Sequence, residues 1–168
     1  MDSSTLRSLQ APLKERYRSD PAAARTPLTA SADFAEAGVT CTVAGFAGPV
    51  RAGLHPATGG DGQDACSGDL LLQAVLACAG ATMRSVATAM ELDLGEVRLQ
   101  ASASFDARGT LGIDRGVPVG ISGLEVDVEV TGEVDDGTLD RLARATERYC
   151  VVGQSLREPP RVQIRRRA

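Results

Sequence analysis

The chain has no tryptophan, and two tyrosines and three phenylalanines are its only aromatic residues. So sparse a set offers few rings on which nucleic-acid bases could stack. Positive charge is not in surplus either: 18 Lys and Arg stand against 22 Asp and Glu, giving a net charge of −4 and a pI near 5.0. A nucleic-acid footprint needs a basic patch, and the tail Arg165-Arg166-Arg167 is short enough to be a solvated strand end. With His55 the single histidine, no Ser/His/Asp or Cys/His triad is forced by the sequence. Grouping it with Cys41 and Cys66 gives neither the CxxC nor the HxxxH spacing of a metal site, so no metal is expected. The glycines at 109, 112, 116 and 120 lie in no strand–GxGxxG–helix unit, which excludes a dinucleotide fingerprint and leaves no cofactor implied. The start, Met-Asp-Ser-Ser-Thr-Leu-Arg, has no apolar signal region, so a cytoplasmic location and no membrane partner are expected. In a reducing compartment the four cysteines (41, 66, 78 and 150) read as thiols or redox centres rather than structural disulfides.

What the chain does have is one long apolar segment, residues 69 to 90, with Cys78 in its middle. From Leu70 to Met83 there is no charge, and Gln73 and Thr82 are the only polar side chains. The segment is too short an uncharged run to span a bilayer, and a surface helix would show a polar face. It is therefore expected as a helix buried on nearly all sides, within a domain or between two subunits. Ser67 can cap its N-terminus, and Asp69 suits the positive end of the helix dipole.

Around this helix the pattern is that of an α+β domain. Residues 1 to 25 read as an appendage with a short helix starting near Pro12 and stopping before Pro21, and residues 26 to 168 as one domain. Residues 27 to 55 are strand-like, with turns at Glu36-Ala37-Gly38 and Ala47-Gly48-Pro49, and residues 57 to 68 form a loop. Val97, Leu99, Ala101, Ala103 and Phe105 alternate with polar residues, as do Leu124, Val126, Val128 and Val130; each run is a strand with one buried face. A second helix follows Asp135, with Leu139, Leu142, Ala143, Thr146 and Cys150 near one stripe and Gly153 expected to end or kink it. Arg161 to Arg165 is a last strand.

Each helix thus carries one cysteine among apolar neighbours, which for either residue alone is the pattern of a core-filling thiol. Taken together, Leu71-Leu72-Gln73-Ala74-Val75-Leu76-Ala77-Cys78 and Cys150-Val151-Val152-Gly153-Gln154-Ser155-Leu156 resemble the OsmC/Ohr family of thiol-dependent peroxidases. The family's second motif reads Cys-Pro-Val-Ser-x-x-Leu; Val152 and Leu156 match it, and Val151 stands where it has proline. The resemblance implies an intertwined homodimer, with antiparallel sheets wrapped around two central helices and two active sites at the subunit interface. It implies that Cys78 attacks an organic hydroperoxide as the peroxidatic residue and that Cys150 resolves the sulfenic acid. An external dithiol, such as a lipoyl group, would then reduce the disulfide in a response to oxidative stress.

A thiol in an apolar helix needs a positive charge or hydrogen bonds to ionise. The family supplies an arginine from its N-terminal hairpin and a glutamate ten residues before the helical cysteine. Here the glutamate position is Gly68, and no arginine lies between Phe34 and Gly38. The candidates to stabilise the thiolate instead are Arg51, Arg115, Arg148 and Asp69; Arg84 points away round the helix. Cys66, just before the helix, is an alternative nucleophile. Two other functions fit the same residues: a non-catalytic dimer that binds an apolar small molecule at its interface pocket, and a thiol-based redox sensor.

Overall fold

The carboxylate of Asp2 accepts the Thr5 N–H at 2.8 Å and so starts α1 (Ser3–Ser19) in the computed structural model, which describes residues 1–46 and 48–167. The helix begins well before Pro12, contrary to the sequence reading, because this cap sets its start. Pro12 sits inside the helix and removes one backbone donor. The Asp20 N–H closes the helix on the Arg16 carbonyl at 2.8 Å, and Pro21 opens a 3-10 turn over Pro21–Ala24. No residue of α1 is buried.

The chain divides into two compact units. One comprises residues 28–73 and 103–123, the other residues 1–27, 74–102 and 124–168.

The first of these holds a four-stranded sheet in the order β1 (Ser31–Asp33), β2 (Thr40–Gly45), β3 (Gly48–Gly53) and β4 (Ala65–Cys66). Strands β1 and β2 pair antiparallel, as do β2 and β3, with Val43 opposite Val50. The turn expected at Glu36-Ala37-Gly38 is present, with Gly38 at φ 102°. Of the turn expected at Ala47-Gly48-Pro49, Ala47 lies outside the described residues. Residues 54–64, which include a 3-10 turn at Pro56–Thr58, cross over before β4, so β4 pairs parallel to β3. A short helix, α3 (Ala107–Thr110), also belongs here.

The other unit contains most of α2 (Ser67–Ala89), of β5 (Val97–Ser104) and of β6 (Ser122–Val130), then α4 (Asp136–Tyr149), α5 (Val151–Gln154) and β7 (Arg161–Arg166). Its sheet runs β5-β6-β7. Strands β6 and β7 are parallel, from Glu125 opposite Arg161 to Val130 opposite Arg166. Parallel neighbours need a long return, and α4 with α5 supplies it. Both sheets therefore contain a parallel pair, where the resemblance implied antiparallel sheets.

The core of this unit follows the alternation in the sequence. Val126, Val128 and Val130 of β6 face Leu139, Leu142 and Ala143 of α4, joined by Val75, Met83 and Ala87 of α2. On the outer face of the sheet Arg165 bridges Asp127 at 3.1 Å and Glu129 at 3.4 Å. The turn into α4 needs a glycine at 132, because a Cβ there would run into the Asp93 carbonyl.

Helix α2 departs from the expectation of burial on nearly all sides. Val75, Ala79, Met83 and Ala87, four residues apart, are buried, while Gln73, Ala74, Ala77, Ala81 and Arg84 are exposed. Within one chain the core covers a single face. By length and composition α2 could cross a membrane; its buried stripe instead joins this core.

Candidate active site: a polarised thiol pair

Asp135 anchors the second cysteine-bearing helix. Its carboxylate accepts the Thr138 N–H at 3.0 Å and the Thr138 hydroxyl at 2.6 Å, which caps α4. The buried stripe then runs through Leu139, Leu142, Ala143 and Thr146 to Cys150, as the spacing predicts. The helix ends at Cys150 rather than at Gly153. Cys150 is extended (φ −73°, ψ 102°), its N–H closes α4 on the Thr146 carbonyl at 3.0 Å, and its sulfur caps α5 by accepting the Gly153 N–H at 3.3 Å. A Cβ on Gly153 would lie 3.3 Å from both Cys150 Sγ and Pro160 Cδ, so the missing side chain makes room for the thiol. Glu147 fixes the junction by accepting the Val162 N–H at 2.7 Å, while its own carbonyl accepts from Gln154 Nε2 at 2.9 Å.

Against this junction lies Cys78 of α2, half-buried where Cys150 is 2 % exposed. The Val152 N–H donates to Cys78 Sγ at 3.5 Å. Burial pushes the Cys78 thiol up, but four donors outweigh it: the Val152 N–H, the Cys150 thiol, the Thr82 hydroxyl and the Val151 N–H. The net result is a Cys78 pKa below that of an ordinary thiol. For Cys150 burial is again the largest influence and raises the pKa. The Gly153 N–H opposes it, and the hydrogen bond and negative charge of Cys78 add to it, so Cys150 is held above the ordinary value. The pair is polarised: Cys78 ionises first, and Cys150 keeps its proton and donates it toward Cys78. A half-exposed thiolate beside a buried thiol can act as a nucleophile with a second sulfur in reserve.

The other candidates have surroundings of their own. Arg51 is held between Glu36 at 2.9 Å and Asp64 at 3.1 Å. Arg148 is exposed, with its guanidinium 5.5 Å from the centroid of the Tyr149 ring. Arg115 lies exposed in the turn beside Asp114, and Asp69 is exposed in the first turn of α2. Cys66 ends β4, and Cys41 faces Ala52 across the β2–β3 pair. Among the described residues no three His, Cys, Asp or Glu side chains cluster as metal ligands.

The groups that lower the Cys78 pKa were not singled out in the sequence. Thr82 follows Cys78 by four residues and so shares its helical face. That spacing was a usable signal for a hydroxyl donor. The two backbone donors of Val151 and Val152 depend on the break at Cys150, which no side-chain pattern announces. One of them is visible in outline: proline has no N–H, so valine at 151 adds a donor at that position.

Residues 60–165 match the family model described as OsmC-like protein. The chain belongs to the OsmC-like family. No curated protein matches it, but solved structures share its fold. An OsmC-like protein from Mycoplasma pneumoniae aligns over 85% of this chain and 99% of its own at 14% identity, with a TM-score of 0.69. An organic hydroperoxide resistance protein from Elizabethkingia anophelis aligns over 84% and 97% at 19% identity, with a TM-score of 0.62. The organic hydroperoxide resistance protein OsmC of Legionella pneumophila, described as a predicted redox protein, aligns over 86% and 100% at 19% identity, with a TM-score of 0.61. At these identities the likeness is one of fold, and this OsmC-like chain shares the α+β architecture of all three.

Proposed function

We propose that this OsmC-like protein reduces organic hydroperoxides through Cys78 and Cys150 and works as a homodimer. The observation that carries the reading is the polarisation of the two thiols, with Cys78 drawn toward the thiolate and Cys150 held protonated beside it. Family membership and the two neighbours named for organic hydroperoxide resistance support the same chemistry.

In the first step the Cys78 thiolate attacks the terminal oxygen of the hydroperoxide. The O–O bond breaks, the alkoxide takes a proton and leaves as the alcohol, and Cys78 becomes a sulfenic acid. Cys150 then attacks that sulfur, an S–S bond forms, and the hydroxyl leaves as water with the Cys150 proton. An external dithiol, for which a lipoyl group is the candidate, returns the pair to thiols by exchange and is itself oxidised to a disulfide. The apolar residues that flank Cys78 in the sequence would suit an organic peroxide better than hydrogen peroxide.

The homodimer accounts for the exposed Ala74, Ala77 and Ala81 on α2. Small residues allow a second helix to approach closely, and burying them would complete the cover that the sequence leads one to expect. The oxidative-stress role and the cytoplasmic setting belong to the same proposal, as does the division into an N-terminal appendage (1–25) and one OsmC-like domain (26–168).

The test is consumption of cumene hydroperoxide by the purified protein with dihydrolipoamide. Wild type is expected to turn over, Cys78→Ser to lose activity by at least about a thousandfold, and Cys150→Ser to stop after one equivalent of peroxide with a sulfenic acid trapped at Cys78. No turnover by wild type, with both thiols still titratable after peroxide, would overturn the reading.

A further inference from the structure

The thiol pair takes its shape from the break between α4 and α5, where Cys150 stands with extended backbone between Tyr149 and Val151. Nothing in the local sequence forces a helix to stop there: residues 147 to 152 hold no proline, and the first glycine comes at 153. A helix interrupted without a breaker residue has to be held open by contacts from outside the break. Glu147, nearly one turn before Cys150, supplies them in two directions.

Its carboxylate accepts the Val162 N–H at 2.7 Å, which ties α4 to the start of β7. Val162 is 5 % exposed, so its N–H has little access to water and needs a partner in the protein. Pro160, two residues earlier and also buried, packs against Gly153. Holding β7 therefore holds the wall on which α5 rests. In the other direction, the Glu147 carbonyl accepts from Gln154 Nε2 at 2.9 Å and ties the last residue of α5 back to α4. Between the two ties lie the Gly153 N–H, 3.3 Å from Cys150 Sγ, and the Val152 N–H, 3.5 Å from Cys78 Sγ. A hydrogen bond depends on direction as well as distance, so a small rotation of α5 would weaken both. Glu147 forms no ion pair among the described residues. What the fold uses is its oxygen as an acceptor.

We propose that Glu147 is a positioning residue for the thiol pair, acting through Val162 and Gln154 to keep the break at Cys150 in the shape that directs the Val152 N–H at Cys78. The inference deepens the peroxidase reading and rests on it in taking Cys78 as the reacting thiol. Alkylation reports the thiolate without any peroxide, so the two can fail separately.

The test follows alkylation of Cys78 by iodoacetamide across pH in the full-length protein, with the modified peptide quantified by mass spectrometry and Cys41 as the reference in the same samples. Glu147→Ala leaves the Val162 N–H without its acceptor. The onset of Cys78 alkylation should move to higher pH, and the rate at neutral pH should fall about fivefold or more. Glu147→Gln keeps an oxygen for the same N–H and should stay within about twofold of wild type. Gln154→Ala cuts the other tie at an exposed residue and should move the profile the same way, by about twofold. A role in stability alone would lower the thermal midpoint of Glu147→Ala and leave the Cys78 profile where it is. That result would overturn the proposal, as would a Glu147→Gln profile displaced as far as that of Glu147→Ala. Should Glu147→Ala lose its circular dichroism signature, Gln154→Ala decides, and an unmoved profile there overturns the proposal. Displaced profiles in a protein that never consumes peroxide would uphold the role of Glu147 and sink the peroxidase reading.

Discussion

In the unit built on α4 and β6, Leu142, Val126 and Val130 are wholly shielded from water. In the unit built on β1 to β4, no described residue is buried. The difference lies in the strands themselves. Strand β6 reads Leu-Glu-Val-Asp-Val-Glu-Val and presents three branched side chains to a helix whose stripe matches them. Strands β2 and β3 read Thr-Cys-Thr-Val-Ala-Gly and Gly-Pro-Val-Arg-Ala-Gly, too poor in large apolar residues to bury much surface of their own. The thiol pair belongs to the unit with the closed core, where a sulfur and its donors can be held to fractions of an ångström. A four-stranded sheet with no buried residue needs cover from elsewhere, and the proposed second copy of the chain would give it.

Core substitutions test that contrast with the largest expected effect. Leu142→Ala removes a fully buried side chain and should destabilise the protein by about 2–5 kcal/mol, read from its urea midpoint. Val43→Ala in β2 is expected to cost less than about 1 kcal/mol at low protein concentration. If second copies cover this sheet, the cost of Val43→Ala should rise with protein concentration, and light scattering should give twice the 17.4 kDa chain mass for wild type. Equal costs at every concentration, with a monomeric mass, would remove the homodimer from the proposed function.

The same contrast decides what could be read from the sequence. Strands β5 and β6, the α4 stripe down to Cys150 and both cysteine-bearing motifs were legible, because period-two and helical patterns of large apolar residues report burial directly. Helix α1 was only partly legible, since its start is set by one capping hydrogen bond from Asp2 rather than by any periodicity. The parallel pairings of β4 and β7 were not legible at all: pairing direction depends on how the connections return, and no residue in either strand encodes that. At the site, Cys78 and Cys150 stood out by type and setting. Their polarity did not, because it comes chiefly from backbone N–H groups that become free only where α4 breaks.

Those N–H groups give the next test, of intermediate size. Val151 is the first residue of α5, a position where proline fits without disturbing the helix. Val151→Pro deletes one donor to Cys78 and leaves the Val152 N–H in place. The Cys78 pKa, now below the ordinary thiol value, should move up, so that alkylation by iodoacetamide sets in at higher pH than in wild type. At neutral pH both alkylation and peroxide turnover should fall about tenfold, with Cys150 unreactive over the same range because it stays protonated. An unchanged pH profile would assign the polarity to Val152, Cys150 and Thr82 alone.

The smallest expected effect concerns Arg51, in the unit without a buried core. Its guanidinium is engaged by both Glu36 and Asp64. A cation already flanked by two carboxylates presents little net field to a thiol, and its own exposure screens what remains. Arg51→Gln should therefore change the rate of Cys78 alkylation less than about threefold, while loosening the Glu36–Asp64 corner. The comparison sharpens if the result is otherwise. A loss of tenfold or more, appearing only at concentrations where two chains associate, would mean that Arg51 acts on the thiol of a second copy. The open unit would then be half of an active site.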